Sequence, residues 1–371
     1  MILPRQHLHD LVYGAHPMVR AHEDQPAIEA SQVQVASIDC RLGNTIFAMR
    51  AAALPHKGEP IADLIERYHR YHFTLDGEEE GVLEKGLCYI IPAAEHLSLS
   101  PEYRAIFSPK SSTGRNDIFV RVLCDGYPHY DQTPYGYTGR IYLEIVSLSF
   151  NVRIRRGIAL TQFRVRTRNS AHVSAGEIAS LHAKYGMMRD KTGRLIPHNE
   201  ITLRDDSLYY HIDLERNIVG FEALSAPTEE INLGKIEAHE PEDFWRPIPR
   251  PKNGQFVISP RQFYLLSTRE RTVIPPEVCG EISPYDTSSG EFRPHYAGFF
   301  DNGFGGAEGT AGVLEVRGHD IPFCLEDGKQ ICRMRFERTL EVPDILYSGN
   351  YTGSGPSLSK HFRRRHAVWE A

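Results

Sequence analysis

The sequence predicts a mainly β protein: two tandem copies of one domain, with a few helices. Three observations carry that expectation. Short alternating apolar runs are punctuated by Gly and Pro, helical periods are few, and blocks of the second half repeat blocks of the first. The 371 residues suit two domains of moderate size, and 41% hydrophobic with 24% charged residues is the composition of an ordinary soluble globular protein.

From the N-terminus, "MILPRQHLHD" lacks the apolar core of a signal peptide, and no apolar run reaches the roughly 18 to 20 residues of a spanning helix, so a cytoplasmic protein is expected. "SQVQVASID" alternates as a strand does. "EPIADLIERYHRYH" has helical spacing with Pro60 suited to a first turn, and "GLCYIIP" is again a strand. "RIYLEIVSLSFNVRI" supplies further strands, and "SAGEIASLHAKYG" is a helix capped by Ser174 with Glu177 three residues on. The polar stretch "RDKTGRLIPHNEITLRDDS" then marks a boundary near residue 200, giving domains 1–200 and 201–371. Beyond it "GQFVISP" repeats "GLCYIIP", with Gly254 over Gly86 and Pro260 over Pro92. "GVLEV" repeats "IYLEI" with Glu315 over Glu144, and "EDGKQICRMRF" repeats "RRGIALTQFRV" through Gly328 and Gly157. Three blocks in one order signify a duplicated fold whose loops have drifted.

Cys40, Cys88, Cys124, Cys279, Cys324 and Cys332 stand in strand-like contexts without CxxC spacing, so buried thiols are expected, not a zinc knuckle or a disulfide framework. The net charge of -6 argues against nucleic acid as a partner and still permits a local arginine site for phosphate.

Three groups of residues carry chemistry. In "PKSSTGR", Ser111, Ser112 and Arg115 can aim two hydroxyls and a guanidinium at one phosphate-sized anion, and the same residues also suit a capped turn with a surface arginine. In "DTSSGEFR", Ser289 and Arg293 are four positions apart, as are Ser111 and Arg115. In "RIYLEIV", Ile141, Leu143 and Ile145 share one face and leave Glu144 with Tyr142 and Val146 on the other. That is either the wet side of a sheet or a functional carboxylate, and Glu315 recurs in the matching place. Between cluster and glutamate, "HYDQTPYGYTG" gives Asp131, Tyr135 and Tyr137 while "AGFFDNGFGG" gives Asp301 and Phe304. A carboxylate for a sugar hydroxyl beside a ring for its face is one reading, and a structural turn is the other.

The order of these motifs resembles the dCTP deaminase branch of the trimeric dUTPase superfamily. "VASIDCRLGN" is similar to that family's "VDVRLGN" strand, "SSTGR" to its "SSxxR" phosphate motif, "GFFDNGFGG" to its "GFIDxGFxG" deoxyribose loop, and "YLEI" and "VLEV" to its catalytic-glutamate segment. The likeness covers about residues 34–166 and 208–358 in tandem form. It implies two dUTPase-like distorted, jelly-roll-like β-barrels that hydrolyse dCTP to dUTP and ammonia, supplying dUTP for thymidylate synthesis. Glu144, Glu315 or both would be the general base. Ser111, Ser112 and Arg115 would hold phosphate and position the water, with Ser289 and Arg293 as the second-half version. Asp131 or Asp301 would bind the deoxyribose, with Tyr137 or Phe304 on its ring. The resemblance further implies Mg²⁺ carried by the triphosphate with no metal held by protein ligands, three chains arranged as six domains, and a C-terminal lid in "YSGNYTGSGPSLSKHFRRRH". Zinc deaminases need H-x-E with P-C-x-x-C, and only "HNE" at His198–Glu200 meets the first half. The chain departs from the pattern in the longer first-half sugar loop, in Gly290 where a second serine would fall, and in the lack of a clear "VDVRLGN" strand in the second half. A dUTP diphosphatase, a bifunctional enzyme and a non-catalytic nucleotide-binding regulator of the same fold are the alternatives.

Overall fold

The structure is a computed structural model that describes residues 1–283, 292–293, 298–349 and 355–364, with the backbone alone for Ser283 and Arg293. Strands dominate, as expected. The chain divides into two compact units, the first made of Met1–Ser170, Glu229–Ile236 and Thr339–Ile345, the second of Ala171–Thr228, Glu237–Arg338 and Leu346–Ala371. The passage at Ser170 and Ala171 lies ahead of the polar stretch near residue 200, because Met188–Arg189 already pairs with the second-unit strand Phe263–Thr272. Two later segments return to the first unit. Ile231–Asn232 adds a parallel strand to Val152–Arg155, and residues 339–345 bind the N-terminus through Leu340 N–H to the Ile2 carbonyl (2.9 Å) and Arg5 to Asp344 (2.9 Å).

The duplication runs through the main sheets. In the first unit the strand order is His69–Thr74, Thr45–Met49, Cys88–Ser98, Thr138–Ser147, Ile118–Cys124. In the second it is Trp245–Pro249, Ile218–Ala223, Phe263–Thr272, Thr310–Gly318, Phe292–Arg293. A second sheet of Ile38–Arg41, Ala159–Thr167 and Tyr103–Pro109 has its counterpart in Ser207–His211, Gln330–Arg338 and Val278–Ser283. Even an irregularity recurs: Ala159↔Arg41 breaks register before Thr161↔Cys40, and Gln330↔His211 breaks register before Cys332↔Tyr210. Ser207–His211 is thus the second-half equivalent of the "VDVRLGN" strand, hidden in sequence because "SLYYH" shares little with "IDCR" beyond its pattern.

A buried carboxylate clamp is duplicated with it. Glu95, fully buried, accepts the Arg41 backbone N–H at 2.8 Å and its Nε–H at 2.7 Å, and Glu270 does the same for the His211 N–H (2.9 Å) and Nδ1 (2.7 Å). Each clamp ties a strand of one sheet to an inner strand of the other, which neutral packing would not register as specifically.

Helices follow local rules. Ala175–Tyr185 begins on Ser174, whose side chain accepts the Glu177 N–H while Glu177 caps back, and ends on Gly186 at φ 66°. Ile61–Tyr68 follows Pro60, and its expected continuation through "HRYH" is instead the strand His69–Thr74, since Thr45–Met49 offers an edge to pair with. Arg5–Tyr13 is a helix the apolar spacing did not announce; it buries Leu8, Leu11 and Val12. The six cysteines form no disulfide, and Cys324 is exposed where a buried thiol was expected, because it sits on the outer side of the two-stranded sheet of Gln255–Ile258 and Phe323–Glu326.

The C-terminal stretch is anchored in its described part. Phe362 is buried against Phe244 (5.5 Å between ring centroids) and Trp245 (6.1 Å), and the Glu237 and Ala238 N–H groups donate to the Lys360 and His361 carbonyls at 3.0 Å. Phe362→Leu is expected to cost the second unit about 1–2 kcal/mol, the worth of the lost ring pairs. Denaturant melts of both proteins check this, and an unchanged midpoint would refute the anchor.

Candidate active site

In the first unit, Thr138–Ser147 is a central strand, and alternation buries Ile141, Leu143 and Ile145 on one side. The other side is not wet. Glu144 is only 2% exposed, beside a small apolar cluster of Met49, Ile61, Leu64, Ile65, Cys88, Ile90 and Leu123 that also gathers Ala53, Tyr130, Tyr142 and Val146. Its Oε1 accepts the Tyr130 hydroxyl at 2.9 Å and its Oε2 the Ala53 N–H at 3.1 Å. Tyr130 lies under the Arg121 guanidinium at 4.3 Å, and Arg121, opposite Glu144 in register, pairs with Asp131 at 2.5 Å. Asp131 also accepts the Val122 N–H at 2.8 Å and adopts φ 60°, tolerated because its carboxylate caps that turn. Tyr130, Arg121 and Ala53 were not singled out from sequence, since only cross-strand register brings them to Glu144.

Burial raises the Glu144 carboxyl above the ordinary carboxylate range, outweighing the Tyr130 and Ala53 hydrogen bonds that favour its ionised form. The unfolded chain releases this proton first as pH climbs, so the first unit loses stability from about pH 4.3, the unperturbed value, up through the raised one. Glu144→Gln is expected to remove that part of the decline. Melts of both proteins between about pH 4 and pH 7 test it, and an unaltered slope would contradict the burial argument.

Ser111–Gly114 forms one helical turn, with Ser111 half-buried, Ser112 7% and Arg115 6% exposed, and Thr113 Oγ1 donating to the Leu160 carbonyl at 2.8 Å. The cluster therefore lies within the unit and is not a solvated turn with a surface arginine. Tyr137 is buried, its hydroxyl donating to the Arg140 carbonyl at 2.6 Å and accepting the Asp125 N–H at 3.3 Å.

In the second unit Glu315 is 3% exposed on Thr310–Gly318 between fully buried Leu314 and Val316. It pairs with Leu265 as Glu144 pairs with Ile90, so the two glutamates occupy one register position of one sheet. Phe304 is buried, its ring 4.9 Å from Phe300 and 5.2 Å from Tyr347. The loop demands glycine at Gly305, where φ is 88° and a Cβ would lie 2.0 Å from the Thr272 carbonyl oxygen. Ser289 lies outside the described residues. Arg293 pairs with Arg317, two beyond Glu315, and the residue opposite Val146, two beyond Glu144, is Phe119; Arg293 is therefore not in the register place of Arg115.

The loop aspartates are not counterparts either. Phe107 and Ile282, facing Phe163 and Met334, donate their N–H groups to the carbonyls of Asp131 and Gly298, each at 2.9 Å. At the far end Leu99 and Ile274 donate to the carbonyls of Tyr137 (2.9 Å) and Phe304 (2.8 Å). The loops between these anchors are equally long, so Tyr137 matches Phe304, Gly136 matches Gly303, and Asp301 stands opposite Pro134.

Among the described residues no three His, Cys, Asp or Glu side chains gather as a metal site, and no helix is long and apolar enough to cross a membrane. Family comparison decides the class: residues 1–169 match the N-terminal and residues 174–362 the C-terminal domain of 2′-deoxycytidine 5′-triphosphate deaminase. The chain belongs to the dCTP deaminase family. Its structure is similar to that of 2′-deoxycytidine 5′-triphosphate deaminase from Agrobacterium tumefaciens, with TM-score 0.82 and 35% identity over 92% of this chain and 99% of that one. Two curated dCTP deaminase relatives align over less. The "dCTP deaminase, dUMP-forming" of Aquifex aeolicus is 34% identical over 100 residues, 26% of this chain and 53% of that protein, and the dCTP deaminase of Pyrococcus horikoshii is 31% identical over 103 residues, 28% and 64%. The chain thus spans between about half and two thirds of these two relatives. Within the dCTP deaminase fold, both repeats retain the glutamate strand and a glycine just before the aromatic residue of the loop, Gly136 before Tyr137 and Gly303 before Phe304.

Proposed function

We propose that this protein deaminates dCTP hydrolytically, with a strand glutamate as general base. The observation that supports this reading is the buried glutamate at one register position in both repeats, Glu144 and Glu315. Water adds to C4 of the cytosine while the carboxylate takes its proton, and the same proton is handed to the exocyclic amine as the C4–N bond breaks, leaving dUTP and ammonia. Unassisted water has a pKa of about 15.7, so the base must be positioned and less acidic than usual, which burial among apolar neighbours provides.

The serines and arginines of "SSTGR" and "DTSSGEFR" would hold the phosphates, Mg²⁺ would arrive on the triphosphate, and the glycine loop would take the deoxyribose. Assembly as a trimer of two-repeat chains and a place in supplying dUTP for thymidylate synthesis belong to the same reading. Incubation with dCTP and Mg²⁺ should release ammonia and dUTP; dCTP left intact would defeat the proposal. The Aquifex relative is named dUMP-forming, which favours a second reading in which dUTP is cleaved further. Pyrophosphate released with the ammonia would establish it, and dUTP accumulating without pyrophosphate would exclude it.

A further inference from the structure

We infer that the two repeats have divided their labour: the second repeat recognises deoxyribose and turns over, whereas the first lacks the loop carboxylate for the sugar and uses its strand glutamate in its own fold. This rests on the deamination reading above and assigns it to one half of the chain.

Register carries the argument. With Tyr137 equated to Phe304 and Asp131 to Gly298, the one carboxylate in the second-repeat loop, Asp301, faces Pro134 in the first. Proline has no side-chain acceptor, so the first repeat cannot offer a sugar hydroxyl a carboxylate from that place. Asp131 does not replace it. It holds the Val122 N–H at 2.8 Å and the Arg121 guanidinium at 2.5 Å, at the loop's other anchor.

Glu144 is likewise built into the first repeat's own fold. Each Glu144 oxygen has a donor from its own repeat, Tyr130 Oη at 2.9 Å and Ala53 N at 3.1 Å, and Arg121 over the Tyr130 ring joins the Asp131 pair to the Glu144 pair. Four side chains thus form one circuit, walled by Ile61, Leu64, Ile65 and Leu123. A pyrimidine at Glu144 would have to displace Tyr130 and open that cluster, leaving Arg121 and Asp131 to repack in a low-dielectric site. The first repeat keeps its glutamate for folding, because removing one member of a satisfied buried network strands the others.

Stoichiometry and mutation test this in the full-length chain with dCTP and Mg²⁺. Equilibrium dialysis with Glu315→Gln, used to stop turnover, should give one nucleotide per chain; two per chain would overturn the inference. Asp301→Ala should lower kcat/KM by about 10- to 100-fold, the worth of a hydrogen bond to a charged group. Tyr130→Phe should leave kcat and KM within about twofold while lowering the denaturation midpoint, since it removes one buried hydrogen bond from a structural circuit. Deamination lost in Glu144→Gln and kept in Asp301→Ala would place the working site in the first repeat, overturning the division while sparing the deamination reading. Absence of ammonia release from dCTP by the unaltered protein would instead defeat the deamination reading itself.

Discussion

Glu315→Gln is expected to abolish ammonia release from dCTP while the protein stays folded. The amide matches the carboxylate in size and can accept a hydrogen bond, but it cannot take a proton from water. The loss should therefore fall on kcat, by about 10²- to 10⁴-fold, with nucleotide binding preserved. Glu315 lies on a strand paired on both sides, with Leu265 opposite it, so nearly all of its environment survives the change. Steady-state ammonia assays together with dCTP binding separate the outcomes. Full turnover in this variant would sink the role of Glu315, and binding lost along with turnover would point to a structural role for the side chain.

The second large effect concerns stability. Glu95→Ala is expected to destabilise the first unit by about 3–5 kcal/mol, because it leaves a buried guanidinium without its charge partner. Arg41 is 7% exposed. Its Nε–H, its backbone N–H and Gln32 Nε2 (3.1 Å) all point at Glu95, and its other nitrogens already donate to the Ala27 and Pro26 carbonyls. Truncation thus strands three donors at once. Glu270→Ala should cost less, since it strands the His211 backbone N–H and one ring nitrogen where Glu95→Ala strands a buried guanidinium. Denaturant titrations following each unit's own transition would check the ranking, and equal costs would contradict it.

Much of this protein was legible in its residues. Alternation and two of the three repeated blocks gave a mainly β, duplicated chain, whereas "GQFVISP" does not match "GLCYIIP": Gln255–Ile258 answers to Glu80–Leu83, and Cys88–Ser98 answers to Phe263–Thr272. Ser174 with Glu177 gave a helix start that the structure places where the capping rule puts it, and Glu144 and Glu315 were recognisable as a pair because both sit in apolar strands that otherwise match. These features are local, set by periodicity, caps and composition within a few residues.

What the tertiary structure alone decided is which residues are counterparts and which are neighbours. Asp131 and Asp301 look alike in sequence, each before a glycine and an aromatic residue, yet hydrogen-bond register puts Asp301 against Pro134. Arg293 and Arg115 share a spacing to serine and not a place in the sheet. Tyr130, Arg121 and Ala53 reach Glu144 only through cross-strand pairing and chain return, and residues 229–236 and 339–345 belong to a unit far from them in sequence. The physical reason is that pairing register and buried-group satisfaction are properties of the assembled sheet: a shift of one residue turns a side chain to the other face, and no run of letters records the partner across the ladder.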